Sequence, residues 1–160
     1  MSNQLVKYSH KILKDKSLIL ETLSGDFTID ALRTNRDILY SDRLFNQQYD
    51  LLHDMRDATM NFTLEEHIAY LHYLGLDAKV LATRKVAILT GEETLAKFTE
   101  WFGNFNGKYG VEFSVFSSVE NSLEWLGRGD SEARIASELN KLKATASSQC
   151  FTEPNAFTGF

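Results

Sequence analysis

The residues best placed to do chemistry stand together at Asp54, Arg56 and Asp57, where the apolar run Tyr49-Asp50-Leu51-Leu52-His53-Asp54-Met55 turns polar. An arginine fork can orient a carboxylate or a phosphate through paired hydrogen bonds, and two nearby carboxylates are raw material for acid–base work. No nucleophile or metal ligand lies beside them in the sequence, so they point to binding, with an internal Arg56–carboxylate pair as the plain alternative. Thr63, in Thr63-Leu64-Glu65-Glu66, offers a hydroxyl at a helix start, where its ordinary use is to accept the Glu66 amide as a cap. Gly91 follows Lys85-Val86-Ala87-Ile88-Leu89 at the mouth of a helix, yet it belongs to no phosphate-loop or dinucleotide-binding glycine pattern.

The histidines point away from metal chemistry. His67 and His72 would sit about 140° apart around a helix at 100° per residue, and neither Glu65 nor Glu66 completes a His-Glu-x-x-His zinc motif. His53 falls within a strand and His10 within a hairpin, both more at home in a core or at an edge than as a base. The single cysteine, Cys150, makes neither an intramolecular disulfide nor a zinc ribbon, which fits a reducing, cytoplasmic setting. No metal and no cofactor is expected. Phe98, Trp101, Phe102, Phe105 and Tyr109 read as a core-facing helix side and its exit, with an aromatic-lined cleft as the alternative.

These residues sit in a chain of 160 residues with a formal net charge of −5, 43% hydrophobic and 24% charged, an ordinary composition for one globular unit. The acidic balance disfavours non-specific nucleic-acid binding. No run approaches the ~20 apolar residues of a membrane span, and no secretory signal opens the chain, so stable membrane insertion is not expected.

The elements that must position them follow from apolar spacing. Residues 5–13 and 17–24, split by Lys14-Asp15-Lys16, form a β-hairpin, and Thr28 caps a helix reaching about residue 43. Strands at Tyr49–Met55, Lys85–Leu89 and Val111–Phe116 each precede a helix opened by a capping signal: Thr63-Leu64-Glu65-Glu66, Thr90-Gly91-Glu92-Glu93 and Ser117-Ser118-Val119-Glu120. Each interval holds one helix, and such crossovers make parallel neighbours. The expected class is α/β, a mixed four- to five-stranded sheet with an N-terminal hairpin and three strand–helix units. Residues 1–127 form the domain. Residues 128–160 read as a C-terminal appendage, a polar helix over about 131–146 followed by a mobile tail whose Phe151, Phe157 and Phe160 could be buried by a partner or by a second copy in a homodimer.

This order of elements resembles the SpoIIAA-like family of the STAS/SEC14-like fold group over about residues 8–127. The likeness is carried by Tyr49–Asp57, by Arg84-Lys85-Val86-Ala87-Ile88-Leu89 and by Val115–Leu126. The resemblance implies a small cytoplasmic regulatory module that, like anti-sigma-factor antagonists, acts by binding a protein partner or small ligand rather than by chemistry. It places Thr63 at the helix start where related regulators carry a phosphorylated serine, making Thr63 the candidate phosphosite, although Phe62 and Leu64 replace the flanking acid and glycine of that motif. The expected binding site is the strand-end group Asp54, Arg56, Asp57, Thr63 and Gly91. Two other classes remain open. A SEC14-like carrier of apolar ligand or lipid would need a cavity of several hundred Å³ lined by apolar groups. A small hydrolase working through Asp54 or Asp57 would need a histidine brought within hydrogen-bond reach of the carboxylate.

Overall fold

The structure, a computed structural model, describes residues 5–74, 84–103 and 110–149; the side chain of His72, Gly75, Phe105, Tyr109, Cys150 and the tail beyond it lie outside the described residues. Strands β1 (Val6–Leu13) and β2 (Leu18–Phe27) form the antiparallel hairpin, from Lys7 opposite Ser24 to Leu13 opposite Leu18. A single 3-10 turn over Lys14–Lys16 joins them. At the far end of β2, Gly25 has φ 93°, and a Cβ there would lie 2.3 Å from the Leu5 carbonyl oxygen, so only glycine fits.

Helix α1 (Ile29–Tyr40) starts at Thr28, whose hydroxyl accepts the Ala31 amide at 3.1 Å. Then come strand β3 (Asp50–Met60), helix α2 (Leu64–Leu74), strand β4 (Arg84–Leu89), helix α3 (Glu92–Gly103), strand β5 (Val111–Phe116) and helix α4 (Val119–Trp125). Strands β2, β3, β4 and β5 are parallel neighbours in that order, as the three strand–helix units require. Every crossover steps one strand in the same direction, so right-handedness delivers α1, α2 and α3 to one face of the sheet. Caps behave as their residue types dictate: Thr63 accepts the Glu66 amide at 3.1 Å, and Ser118 rather than Ser117 accepts the Asn121 amide at 3.2 Å.

Two expectations are corrected. Residues 128–149 are no appendage. Helix α5 (Glu132–Thr145) lies with α4 on the opposite face, and Ile135, Leu139 and Leu142 are buried against Leu13, Leu18, Leu20 and Leu52 of the sheet. Strand β6 (Ser147–Gln149) then adds a sixth strand, antiparallel beside β1, giving the order β5-β4-β3-β2-β1-β6. The spacing of those three apolar residues provides one buried stripe on an otherwise polar helix. Arg128 secures the approach, with Nη1 donating to the Asp50 carboxylate at 2.5 Å and Nη2 to the Ser17 carbonyl at 3.0 Å.

The second correction concerns β3, which runs to Met60 rather than ending at Met55. A bulge makes this possible: Thr22 pairs with Asp54 but Ser24 pairs with Asp57, so β3 carries one residue more than β2 between these pairs. Thr22 and Ser24 share a face of β2. Asp54 and Asp57, opposite them, therefore share that face too, despite being three apart in sequence.

Candidate functional site

The strand-end group predicted from sequence is assembled differently from expectation. Asp54 is fully buried, and Arg56 grips it from Nε at 2.9 Å and Nη2 at 2.7 Å. Lys143 of α5 reaches both Asp54, at 3.0 Å, and Asp57, at 3.2 Å. Burial raises the Asp54 carboxyl pKa, but these two cations outweigh it and hold it below the usual carboxylate value. The group thus pins α5 to β3. Among the described residues no histidine hydrogen-bonds to Asp54 or Asp57; the neighbouring His53 belongs to the opposite face of the sheet. Thr63 starts α2 on that opposite face as a cap, and a Cβ on Gly91 would meet nothing within 4 Å. The structure therefore brings Asp54, Arg56 and Asp57 together but not with Thr63.

The polar chemistry of the interior lies under α1, α2 and α3. Period-two alternation puts Ile19, Glu21 and Leu23 of β2, and Leu51, His53 and Met55 of β3, on this face, with Glu21 directly paired to His53. Glu21 has no solvent exposure. Its Oε2 accepts from the Arg36 guanidinium of α1 and from the Tyr8 hydroxyl of β1. Desolvation pushes the Glu21 carboxyl up, yet Arg36 and the other donors prevail and hold it at about 2. Burial lowers His53 to about 4, the Glu21 carboxylate opposing and the Arg36 charge assisting, so this imidazole is neutral at physiological pH. His67 of α2 is likewise lowered to about 4 by burial, and its Nδ1 accepts the indole N–H of Trp101.

Beside this network lies a cavity of ≈ 100 Å³. The sheet lines it with Phe27, Leu51, Met55 and Val86, and Leu32, Phe62 and Phe102 close it from the helix side. Arg36, His53, His67, Tyr70 and Arg84 add polar atoms to an otherwise apolar wall. Arg84, the first residue of β4, is 7% exposed, and burial disfavours its charge. Its Nε and Nη1, the Arg36 Nε, the His53 Nε2 and the Tyr70 hydroxyl have no hydrogen-bond partner among the described residues.

The sequence reads His53 as a core or edge histidine and His67 only as no zinc ligand, and it does not single out Glu21, Arg36, Tyr70 or Arg84. One signal was available. Glu21 interrupts Leu18-Ile19-Leu20-Glu21-Thr22-Leu23 at an inward position, and a carboxylate there demands a buried cation.

Three crossover helices on one face of a mixed sheet, and a helix pair returning across the other, define an α/β module of the SpoIIAA-like kind. Among solved structures the chain is similar to an uncharacterised protein of the DUF3478 family with a SpoIIAA-like fold from Shewanella loihica PV-4, with TM-score 0.51 and 17% identity over 79% of this chain and 98% of that one. The chain has a SpoIIAA-like fold. No protein-family model and no curated protein matches it. Among the described residues no helix is long and apolar enough to cross a membrane, and no group of three or more His, Cys, Asp or Glu is placed to hold a metal ion.

Proposed function

We propose that this chain is a non-catalytic, cytoplasmic binding module whose site is the cavity between the sheet and helices α1 to α3 rather than the strand-end group at Asp54. The observation that carries this reading is the cavity itself: space walled by Phe27, Met55, Phe62 and Phe102 in an interior that close packing would otherwise fill. Its size selects the ligand. At ≈ 100 Å³ it falls below the roughly 300–1,000 Å³ of drug-sized sites, which argues against a lipid carrier. It approaches the roughly 150 Å³ that accommodates a benzene ring in an engineered apolar cavity. The ligand is therefore small, on the scale of one ring. The carboxylates nearest the sequence-predicted site are engaged with Arg56 and Lys143, which supports binding over hydrolysis.

Methionine methyl resonances test this directly, because Met55 and Met60 both line the cavity. Titrating benzene into protein labelled at the methionine methyl carbons should shift both signals saturably. Replacing Val86 by Phe, which fills the space, should abolish the shifts. Unmoved methyl signals at saturating benzene would overturn the reading.

A further inference from the structure

Resting on the cavity reading, we infer that the ligand is a small organic monoanion, a monocarboxylate with a one-ring or short branched apolar body, held by Arg84 and Tyr70. The inference starts from a charge that lacks a counterpart. Two guanidiniums, Arg36 and Arg84, line the cavity, each more than nine-tenths buried, and the carboxylate beside them is Glu21. Glu21 pairs with Arg36 through Oε2, which also accepts from Tyr8, while its Oε1 faces His53 Nε2 at 3.6 Å. Arg84 forms no ion pair with any described residue; the Tyr40 side chain accepts one hydrogen bond from it, while Nε and Nη1 remain unused. His53 is neutral and cannot answer the charge.

A buried cation without an anion is among the most unfavourable features a fold can carry. Packing alone would have been served better by methionine or leucine at position 84, as at the neighbouring apolar positions Val86 and Ile88. The Tyr70 hydroxyl is a second buried group whose hydrogen-bonding capacity is unfilled, and both it and Arg84 feel the field of Arg36. One uncompensated positive charge is matched by one negative charge. A carboxylate supplies that charge together with acceptors for guanidinium and phenol donors. A phosphate dianion would over-compensate. The remaining wall, Phe27, Met55, Phe62 and Phe102, receives an apolar body.

The probes are benzoate, benzene and inorganic phosphate, followed through the Met55 and Met60 methyl shifts and through the thermal midpoint of the full chain. Benzoate should bind at least tenfold more tightly than benzene. Arg84→Met should remove that advantage while leaving benzene affinity within twofold, and Tyr70→Phe should reduce benzoate affinity severalfold. Without ligand, Arg84→Met should melt no lower than the parent, since it relieves an uncompensated charge; this shows separately that the variant folds. Benzene binding as tightly as benzoate would overturn the inference while sustaining the cavity reading. Silence of the methionine methyls towards every probe would overturn both. Phosphate raising the midpoint as much as benzoate at equal concentration would show recognition of charge alone and overturn the monocarboxylate assignment.

Discussion

The two faces of the sheet solve the same packing problem with different materials. Under α4 and α5 the buried apolar residues are aliphatic: leucines of β1, β2, β3 and β4 meet Leu123, Leu126, Ile135, Leu139 and Leu142, with Ala87 between them. The buried carboxylate there, Asp54, is paired with Arg56 and Lys143. Under α1, α2 and α3 the buried set mixes Phe27, Met55, Phe98 and Phe102 with Glu21, His53, Arg36 and Arg84, and space is left over. The aliphatic layer closes mainly by shape, with the Asp54 ion pairs at its margin. A layer holding charges depends on its partners: Glu21 and Arg36 answer each other, and removing either strands the other. On the proposed reading, the first face supplies stability and the second recognition.

The largest effect should come from breaking the charged layer at its centre. Arg36→Met strands the Glu21 carboxylate in an apolar interior, and removing one partner of a buried pair costs roughly 3–5 kcal/mol. Denaturant unfolding should show that loss. The triple change of Tyr8→Phe, Glu21→Leu and Arg36→Met should recover most of it, because apolar replacement of a whole buried network is often neutral or stabilising. If the single variant loses less than about 1 kcal/mol, Glu21 is not confined as described and the contrast between the faces fails.

The aliphatic face should answer almost as strongly but by a different route. Ile135→Ala or Leu139→Ala, each at a site no more than 1% exposed, should cost roughly 2–5 kcal/mol through lost burial and the cavity left behind. Neither should alter benzoate or benzene binding at equal fraction folded. A loss below about 0.5 kcal/mol would restore residues 128–149 to the status of an appendage.

How much of this contrast could be read from the sequence depended on the range of the interactions. The hairpin, the parallel trio and the caps at Thr28 and Thr63 come from local spacing and local hydrogen bonds, and they were legible. The stripe Ile135, Leu139, Leu142 was present, but the polar residues around it made α5 look detached, because its partners are more than a hundred residues away on β1 and β2. The bulge that carries β3 past Asp54 arises from pairing with β2, and nothing in Met55-Arg56-Asp57 announces it. The cavity needed seven elements at once, β2 to β5 and α1 to α3. Glu21 hinted at a buried cation, yet which of 17 lysines and arginines would answer was decided by tertiary placement.

Acidification should weaken the polar face first. His53 and His67 have an ordinary value of 6.5 and are both held at about 4 in the fold. Between those values the unfolded chain takes up protons that the folded chain refuses. The stabilisation from their neutral burial is complete above pH 6.5, declines as the pH falls and is lost by about pH 4. The loss is on the order of 3 kcal/mol for each histidine. His53→Gln and His67→Phe should each flatten stability against pH within that window. A slope unchanged in both variants would place the titrating groups elsewhere.

The smallest effect separates the faces most finely. Thr63 caps α2, the helix that carries His67 and Tyr70 to the polar face. Thr63→Ala removes the acceptor for the Glu66 amide and should cost about 1 kcal/mol, whereas Thr63→Ser, which keeps the hydroxyl, should stay close to the parent. The loss should be local. Amide exchange should accelerate in the first turn of α2, where the Glu66 and His67 amides donate to Thr63, and remain unchanged in α5, whose stripe packs on the other side of the sheet. A capping residue also predicts how a charge would act there: phosphate or Asp at position 63 adds an anion to a helix N-terminus and should stabilise α2 by a few tenths of a kcal/mol to about 1 kcal/mol. Thr63→Asp melting well below Thr63→Ala would show that the hydroxyl is enclosed rather than presented, and Thr63 would then be a structural cap with no place in regulation.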